Sequence, residues 1–191
     1  MSKALPTLQE KYDTVIRKEL SAKLKVKNIL ALPRLSKVNV NIGVGTYIKN
    51  GGKDLAPVTT NVTDITGQKP IITKAKKAIS NFKLRAGMPV GIYVTLRKKR
   101  MNDFVDKLVN VVLPRTRDFR GISVKGFDGR GNYNLGIKDC SIFPEINPAN
   151  LERPHSLQIT ITTTAKNNYE GYLLLKGFGF PFKDEIKEPK A

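Results

Sequence analysis

The chain has 191 residues, with 34 Lys and Arg against 16 Asp and Glu, for a net charge of +18 at pH 7. Self-repulsion of that size opposes a compact state until a polyanion neutralises it, so the expected partner is nucleic acid or an anionic membrane surface. The apolar runs, such as Leu173 to Leu175, fall far short of the roughly 18 residues a membrane span needs, which leaves nucleic acid.

Met1 to Pro6 is expected to be loose. Glu10 and Asp13 interrupt the start and no apolar stretch follows, so no signal peptide is read and a cytoplasmic location is expected. The first helix is predicted to open at Thr7, whose hydroxyl and Glu10 three residues on form a capping box. Leu8, Tyr12, Val15, Ile16 and Leu20 then share one helical face. From Lys37 to Ile42, Val38, Val40 and Ile42 alternate with Lys37, Asn39 and Asn41, which predicts a strand with one buried side.

A second helix is predicted over Asp54 to Thr66, with Leu55, Val58, Val62 and Ile65 inward, Pro57 confined to its first turn and Gly67 ending it. A strand-like segment follows at Pro70 to Thr73. Next comes Lys74 to Gly87, read as a long basic loop or hairpin tip with Phe82 at its middle. Its charge suits phosphates, and Phe82 can meet a base or groove; alternatively Ile79, Phe82 and Leu84 anchor the loop to the core. The 38 residues from Ile65 to Asn102 hold no acid and ten basic residues.

Val90 to Arg97 alternates Val90, Ile92, Val94 and Leu96 with Gly91, Tyr93, Thr95 and Arg97, a second half-buried strand. A third helix is predicted over Asn102 to Leu113, with Met101, Phe104, Val105, Leu108, Val111 and Val112 inward and Pro114 stopping it. The string RTRDFRGISVKGFDGRGNY, Arg115 to Tyr133, combines five basic residues, four glycines and three aromatics in 19 residues. Arginine forks match phosphates and guanine edges, glycines permit close backbone approach, and aromatics offer stacking surfaces. A solvated basic loop between core elements would read the same way. Leu157 to Thr164 forms a third alternating strand, and a last helix covers Asn168 to Lys176, ended by Gly177. Residues 1–183 read as a single RNA-binding domain, and Asp184 to Ala191 as a charged, disordered tail.

Chemistry is sparse. Cys140 is the only cysteine and His155 the only histidine, so neither an internal disulfide nor a zinc site can form. Cys140 reads as a small buried residue and His155 as a surface loop residue. Gly43-Val44-Gly45 lacks the third glycine of a dinucleotide fingerprint, and Asn61-Val62-Thr63 is a sequon without meaning in an unsecreted chain. No catalysis, cofactor or metal is expected. RNA is preferred to DNA because no helix-turn-helix, zinc-finger or basic-zipper pattern is present and the cations are spread over several segments. A non-ribosomal architectural nucleic-acid-binding protein remains the alternative, and an RNA-processing enzyme a third reading.

The strings LPRLSKVNVNIGVG, GQKPIITKAKKAISNFKLRAGMPVG, VTLRKKRM, LPRTRDFRGISVKGFDGRGNYNLGIKD, FPEI, ITTTA and FPF stand in order across most of the chain. In them it resembles the bacterial-type L-five family of large-ribosomal-subunit proteins. The resemblance implies an α+β fold: an antiparallel β-sheet with helices packed on one face, a polar RNA-facing side opposite, and a long basic loop. It implies a cytoplasmic, ribosomal protein that helps attach 5S rRNA in the central protuberance and also touches 23S rRNA. Carried over by motif, the 5S face would comprise Lys37, Asn39, Asn41, Gln68 and Thr95. The loop bearing Lys74, Lys76, Lys77, Phe82, Lys83 and Arg85 would approach P-site tRNA. Arg97, Arg100, Arg115, Arg117, Arg120 and Arg130 would meet other ribosomal RNA. Further implied partners are neighbouring large-subunit proteins that bind 5S rRNA and a small-subunit head protein across an intersubunit bridge, with no membrane.

Overall fold

The computed structural model describes residues 7–26, 28–49, 55–146 and 155–186. The expectations for Met1 to Pro6, for a helix start at Asp54 and for the last residues of the tail, 187–191, lie outside them. The fold is α+β, with a five-stranded antiparallel sheet. Its strands are β1 (Leu35–Gly43), β2 (Ile71–Lys74), β3 (Pro89–Leu96), β4 (Tyr133–Ile137) and β5 (Leu157–Thr163), in the order β2-β3-β1-β5-β4. All three predicted strands form, and their alternation is real: Val38, Val40, Ile42, Ile92, Val94, Leu96, Leu157, Ile159 and Ile161 are buried. β4 was not foreseen, because Gly136 and the turn residues before it mask a short strand. The chain forms two compact units, one drawn from Met1–Val38, Arg97–Leu135 and Thr160–Ala191, the other from Asn39–Leu96 and Gly136–Ile159.

In the first unit the N-terminal helix starts as expected. Glu10 N donates to Thr7 Oγ1 at 3.3 Å and Thr7 N to Glu10 Oε2 at 2.9 Å. The helix then runs through Leu8–Lys11, a widened π-type segment at Tyr12–Ile16, and Arg17–Leu24. Its buried residues Leu8, Tyr12, Ile16 and Leu20 are spaced strictly by four. In a regular helix of about 3.6 residues per turn, that spacing drifts off the stripe. The Arg17 N–H reaching back five residues to the Tyr12 carbonyl opens the turn and keeps them in line. Val15, expected inward, is left 53% exposed by the same widening.

The central helix repeats the device. It begins at Lys98, four residues earlier than predicted, and passes into a π-type segment at Leu108–Val112, closed by Leu113 N to the Leu108 carbonyl at 2.9 Å. Val109 is consequently buried, and Val111 turns outward to 38% exposure. The C-terminal helix, Asn168–Gly177, packs Tyr172, Leu173 and Leu174 into a core shared with Tyr12, Ile16, Leu20 and Leu32. Beyond it, Ile186 packs against that core and Glu185 accepts from Lys176 Nζ at 2.7 Å.

In the second unit the helix Ala56–Thr66 carries Pro57 in its first turn and buries Val58, Val62 and Ile65. Gly67 ends it at φ 65°, ψ 19°, with the cap N–H on the Thr63 carbonyl. A Cβ on Gly67 would meet nothing within 4 Å, so its cost is conformational alone. Gly67→Ala should therefore lower the unfolding free energy by roughly 1–2 kcal/mol in urea denaturation, and an unshifted midpoint would refute the left-handed cap. Cys140 is buried, as read, and burial raises its thiol pKa above the usual value. His155 lies in a loop, as read, and is half-buried, its carbonyl accepting from Cys140 N at 3.1 Å just before β5.

Candidate nucleic-acid interface

The side of β1 and β3 opposite the core carries hydrogen-bonding groups. Lys37, Asn39 and Asn41 on β1, and Tyr93 and Thr95 on β3, are all half-buried, neither sealed in nor standing free. Gln68, just past the Gly67 cap, donates from Nε2 to the Thr95 carbonyl at 3.3 Å. That bond ties the helix exit to β3 and brings together two of the predicted 5S residues. Asn39 Oδ1 is buried with no hydrogen-bond partner among the described residues. A buried acceptor left unpaired is worth about 1–3 kcal/mol of lost solvation, so it favours a partner that brings a donor.

Gly91, itself buried, lets Thr73 and Asn41 pack closely against β3. A Cβ there would lie 2.8 Å from Thr73 Oγ1, 3.3 Å from the Ile42 carbonyl and 3.6 Å from Asn41 Oδ1. Sequence reasoning named Asn41 but missed Thr73 and Gly91. A glycine inside an otherwise alternating strand was the available signal, since it marks close approach by another group.

The long basic segment is the tip of a hairpin. β2 pairs antiparallel with β3 in the register Ile71↔Tyr93, Ile72↔Ile92 and Thr73↔Gly91, with an irregularity before Lys74↔Pro89. The pairing continues at Ala75 N to the Met88 carbonyl, 2.8 Å, and Gly87 N to the Ala75 carbonyl, 2.9 Å. Ile79 and Leu84 bridge across the tip, and a single turn at Ser80–Phe82 ends on Lys83 at φ 52°. Anchoring fails for two of the three candidates: Ile79 is 44% and Phe82 59% exposed. Lys74, Lys76, Lys77, Lys83 and Arg85 are exposed, and none is ion-paired among the described residues.

In the first unit, Arg97, Arg100, Arg115, Arg117, Arg120 and Arg130 are likewise exposed. The rest of the glycine-rich string behaves differently from its sequence reading. Tyr133 is 1% exposed, its hydroxyl donates to the Ser123 carbonyl at 2.8 Å, and burial pushes its pKa up to about 12. Phe127 lies 4.8 Å from the Tyr133 ring and 5.8 Å from Phe182, so both aromatics serve packing, not base stacking. Phe182, from the FPF string, also meets Tyr133 edge-on at 5.6 Å. Asp128 closes the turn between them, its Oδ1 accepting from Arg130 N at 2.8 Å and Asn132 N at 3.1 Å. Desolvation pushes its pKa up, but these bonds and one from the Asn132 side chain outweigh it and leave the carboxyl below its ordinary value. Arg130 is thereby held at the apex of a rigid turn.

The pattern of the ribosomal protein L5 family matches residues 28–85, and that of the ribosomal L5P family C-terminus matches residues 89–182. The large ribosomal subunit protein uL5 of Syntrophotalea carbinolica is 49% identical over 181 residues, covering 95% of this chain and 98% of that protein. The uL5 protein of a Synechococcus species is 53% identical over 175 residues, covering 92% and 97%. That of Rhodopirellula baltica is 45% identical over 191 residues, covering 100% and 97%. Among the described residues, no helix is long and apolar enough to cross a membrane.

Proposed function

This chain belongs to the ribosomal protein L5 family, non-enzymatic rRNA-binding constituents of the large ribosomal subunit in the cytoplasm, and from that premise we propose that it holds 5S rRNA on the polar face of its sheet. Lys37, Asn39, Asn41, Gln68 and Thr95 are the residues assigned to 5S rRNA, within one RNA-binding domain over 1–183. The observation that carries the reading is the set of half-buried Asn39, Asn41 and Thr95 side chains on the polar side of the strands, where Asn39 Oδ1 has no donor among the described residues. Folded RNA offers ribose 2′-hydroxyls and the base edges of unpaired loops to such a surface, and duplex DNA has no 2′-hydroxyl.

The same reading extends outward. The hairpin tip reaches P-site tRNA with Lys74, Lys76, Lys77, Phe82, Lys83 and Arg85. Arg97, Arg100, Arg115, Arg117, Arg120 and Arg130 meet 23S rRNA. Attachment of 5S rRNA in the central protuberance, contact with the other 5S-binding proteins and a bridge to a small-subunit head protein complete the proposal. Exposed cations on a chain of charge +18 support these contacts.

Filter binding tests the core of it. Affinity for 5S rRNA should fall about 10³–10⁵-fold between 50 and 200 mM salt if six to ten phosphates are met. Asn41→Ala should weaken 5S binding about tenfold, the equivalent of one hydrogen bond to a charged polymer, with an unchanged thermal midpoint. Equal affinity for 5S rRNA, random RNA and duplex DNA would instead describe a protein that coats nucleic acid by charge alone.

A further inference from the structure

An open cleft of about 440 Å³ lies in the first unit. Two aromatic rings line it, Tyr12 and Phe178, stacked with centroids 5.9 Å apart and planes 21° from parallel. Four cations converge on it: Arg17, Arg34, Arg97 and Lys98, with no acid among the lining residues. Arg17 sits over the Tyr12 ring at 5.3 Å and pairs with Asp13 at 3.1 Å, while its Nε is buried with no acceptor among the described residues. Backbone bonds between Arg34 and Thr164 hold the wall independently of the arginine side chain: Thr164 N donates to the Arg34 carbonyl at 2.9 Å and Arg34 N to Thr164 Oγ1 at 3.0 Å.

Arg17 is already paired with Asp13, but Arg34, Arg97 and Lys98 leave three like charges round one hollow, which repel each other unless an anion sits between them. Phe178, backed by the buried Tyr12 ring, adds an apolar wall, and the volume is that of a small-ligand site. We propose that this cleft binds a single nucleoside phosphate, its base against Phe178 and its phosphate among Arg34, Arg97 and Lys98. Lys98 opens a helix that has no side-chain cap and no acid in its first turn, so the nearby backbone N–H groups reinforce the same preference. One ligand chemistry has two sources here: a nucleotide unstacked from bound RNA, or a free nucleotide. The second source makes the site independent of the 5S reading.

Two arms separate them, both on the full chain. In the first, ADP and GDP are titrated by calorimetry at low salt; saturable binding weakened at least tenfold in R34A/R97A identifies a free-nucleotide site. In the second, ribosomal particles carrying the chain are irradiated with ultraviolet light and the crosslinked peptides sequenced. A nucleotide on the peptide of Tyr12 or Phe178, lost in R34A/R97A and in F178L, identifies an unstacked RNA nucleotide. Both arginines are exposed or at the rim, and circular dichroism checks that the variants fold. If neither arm gives a signal while 5S rRNA still binds, the cleft proposal is overturned and the sheet reading survives. If 5S binding fails while the nucleotide titration saturates, the reverse holds.

Discussion

Replacing Lys76, Lys77, Lys83 and Arg85 together by alanine should weaken tRNA binding by about three orders of magnitude near 0.1 M salt, if each meets one phosphate. The salt slope should flatten by about 3.6 at the same time, 0.9 for each contact removed. No loss of fold accompanies this, because all four side chains are exposed and none is ion-paired among the described residues. Affinity for 5S rRNA, by contrast, should persist, since Asn39, Asn41, Gln68 and Thr95 are untouched. The pairing of loss and retention is the diagnostic. If the quadruple variant loses 5S rRNA and tRNA equally, the hairpin is a general electrostatic arm and the division of labour proposed above is wrong. Phe82→Ala separates stacking from charge: it should reduce tRNA affinity without altering the salt slope.

Alternation and caps were legible in the sequence because they are local. Val38, Val40 and Ile42, or Thr7 with Glu10, need only their neighbours to declare a strand or a helix start. The register of the two long helices was not, because it depends on π-type widening chosen by tertiary packing. Leu8, Tyr12, Ile16 and Leu20 line up only after the turn at Tyr12–Ile16 opens, which sends Val15 outward; the same choice exchanges Val111 for Val109. For the interface, exposure of the basic hairpin was readable from an acid-free stretch. The close approach of Thr73 to Gly91 was not, because it exists only once β2 and β3 pair in register. The glycine-rich string misled most. Its composition suits a ligand loop, yet Phe127 and Tyr133 turn inward to Phe182, a residue about 50 positions away that no local pattern connects to them.

Gly171→Val should abolish folding, the largest stability effect expected of any single change considered. A Cβ at Gly171 would stand 2.5 Å from the Gly131 carbonyl oxygen and 2.9 Å from its Cα, both backbone atoms. Gly131 cannot retreat. It sits at φ 78°, and its own missing Cβ faces Ala165 Cβ at 2.6 Å and the Asn167 carbonyl at 2.8 Å. Its carbonyl accepts from Thr163 Oγ1 at 2.8 Å, and its N–H donates to Asn168 Oδ1 at 3.1 Å. Relief of the clash would break those bonds, so overpacking of about 1–3 kcal/mol or more adds to about 1–3 kcal/mol for each buried group left unpaired. Such a sum is comparable to the entire margin of about 5–15 kcal/mol that a domain of this kind holds. Gly136→Ala is the control, since a Cβ there meets nothing within 4 Å and its φ is ordinary. Circular dichroism melts should show the control near the parent and the Gly171 variant without a cooperative transition. A folded Gly171→Val protein would mean that the two backbones are not in contact, and that the glycines of the basic string are free to serve a ligand after all.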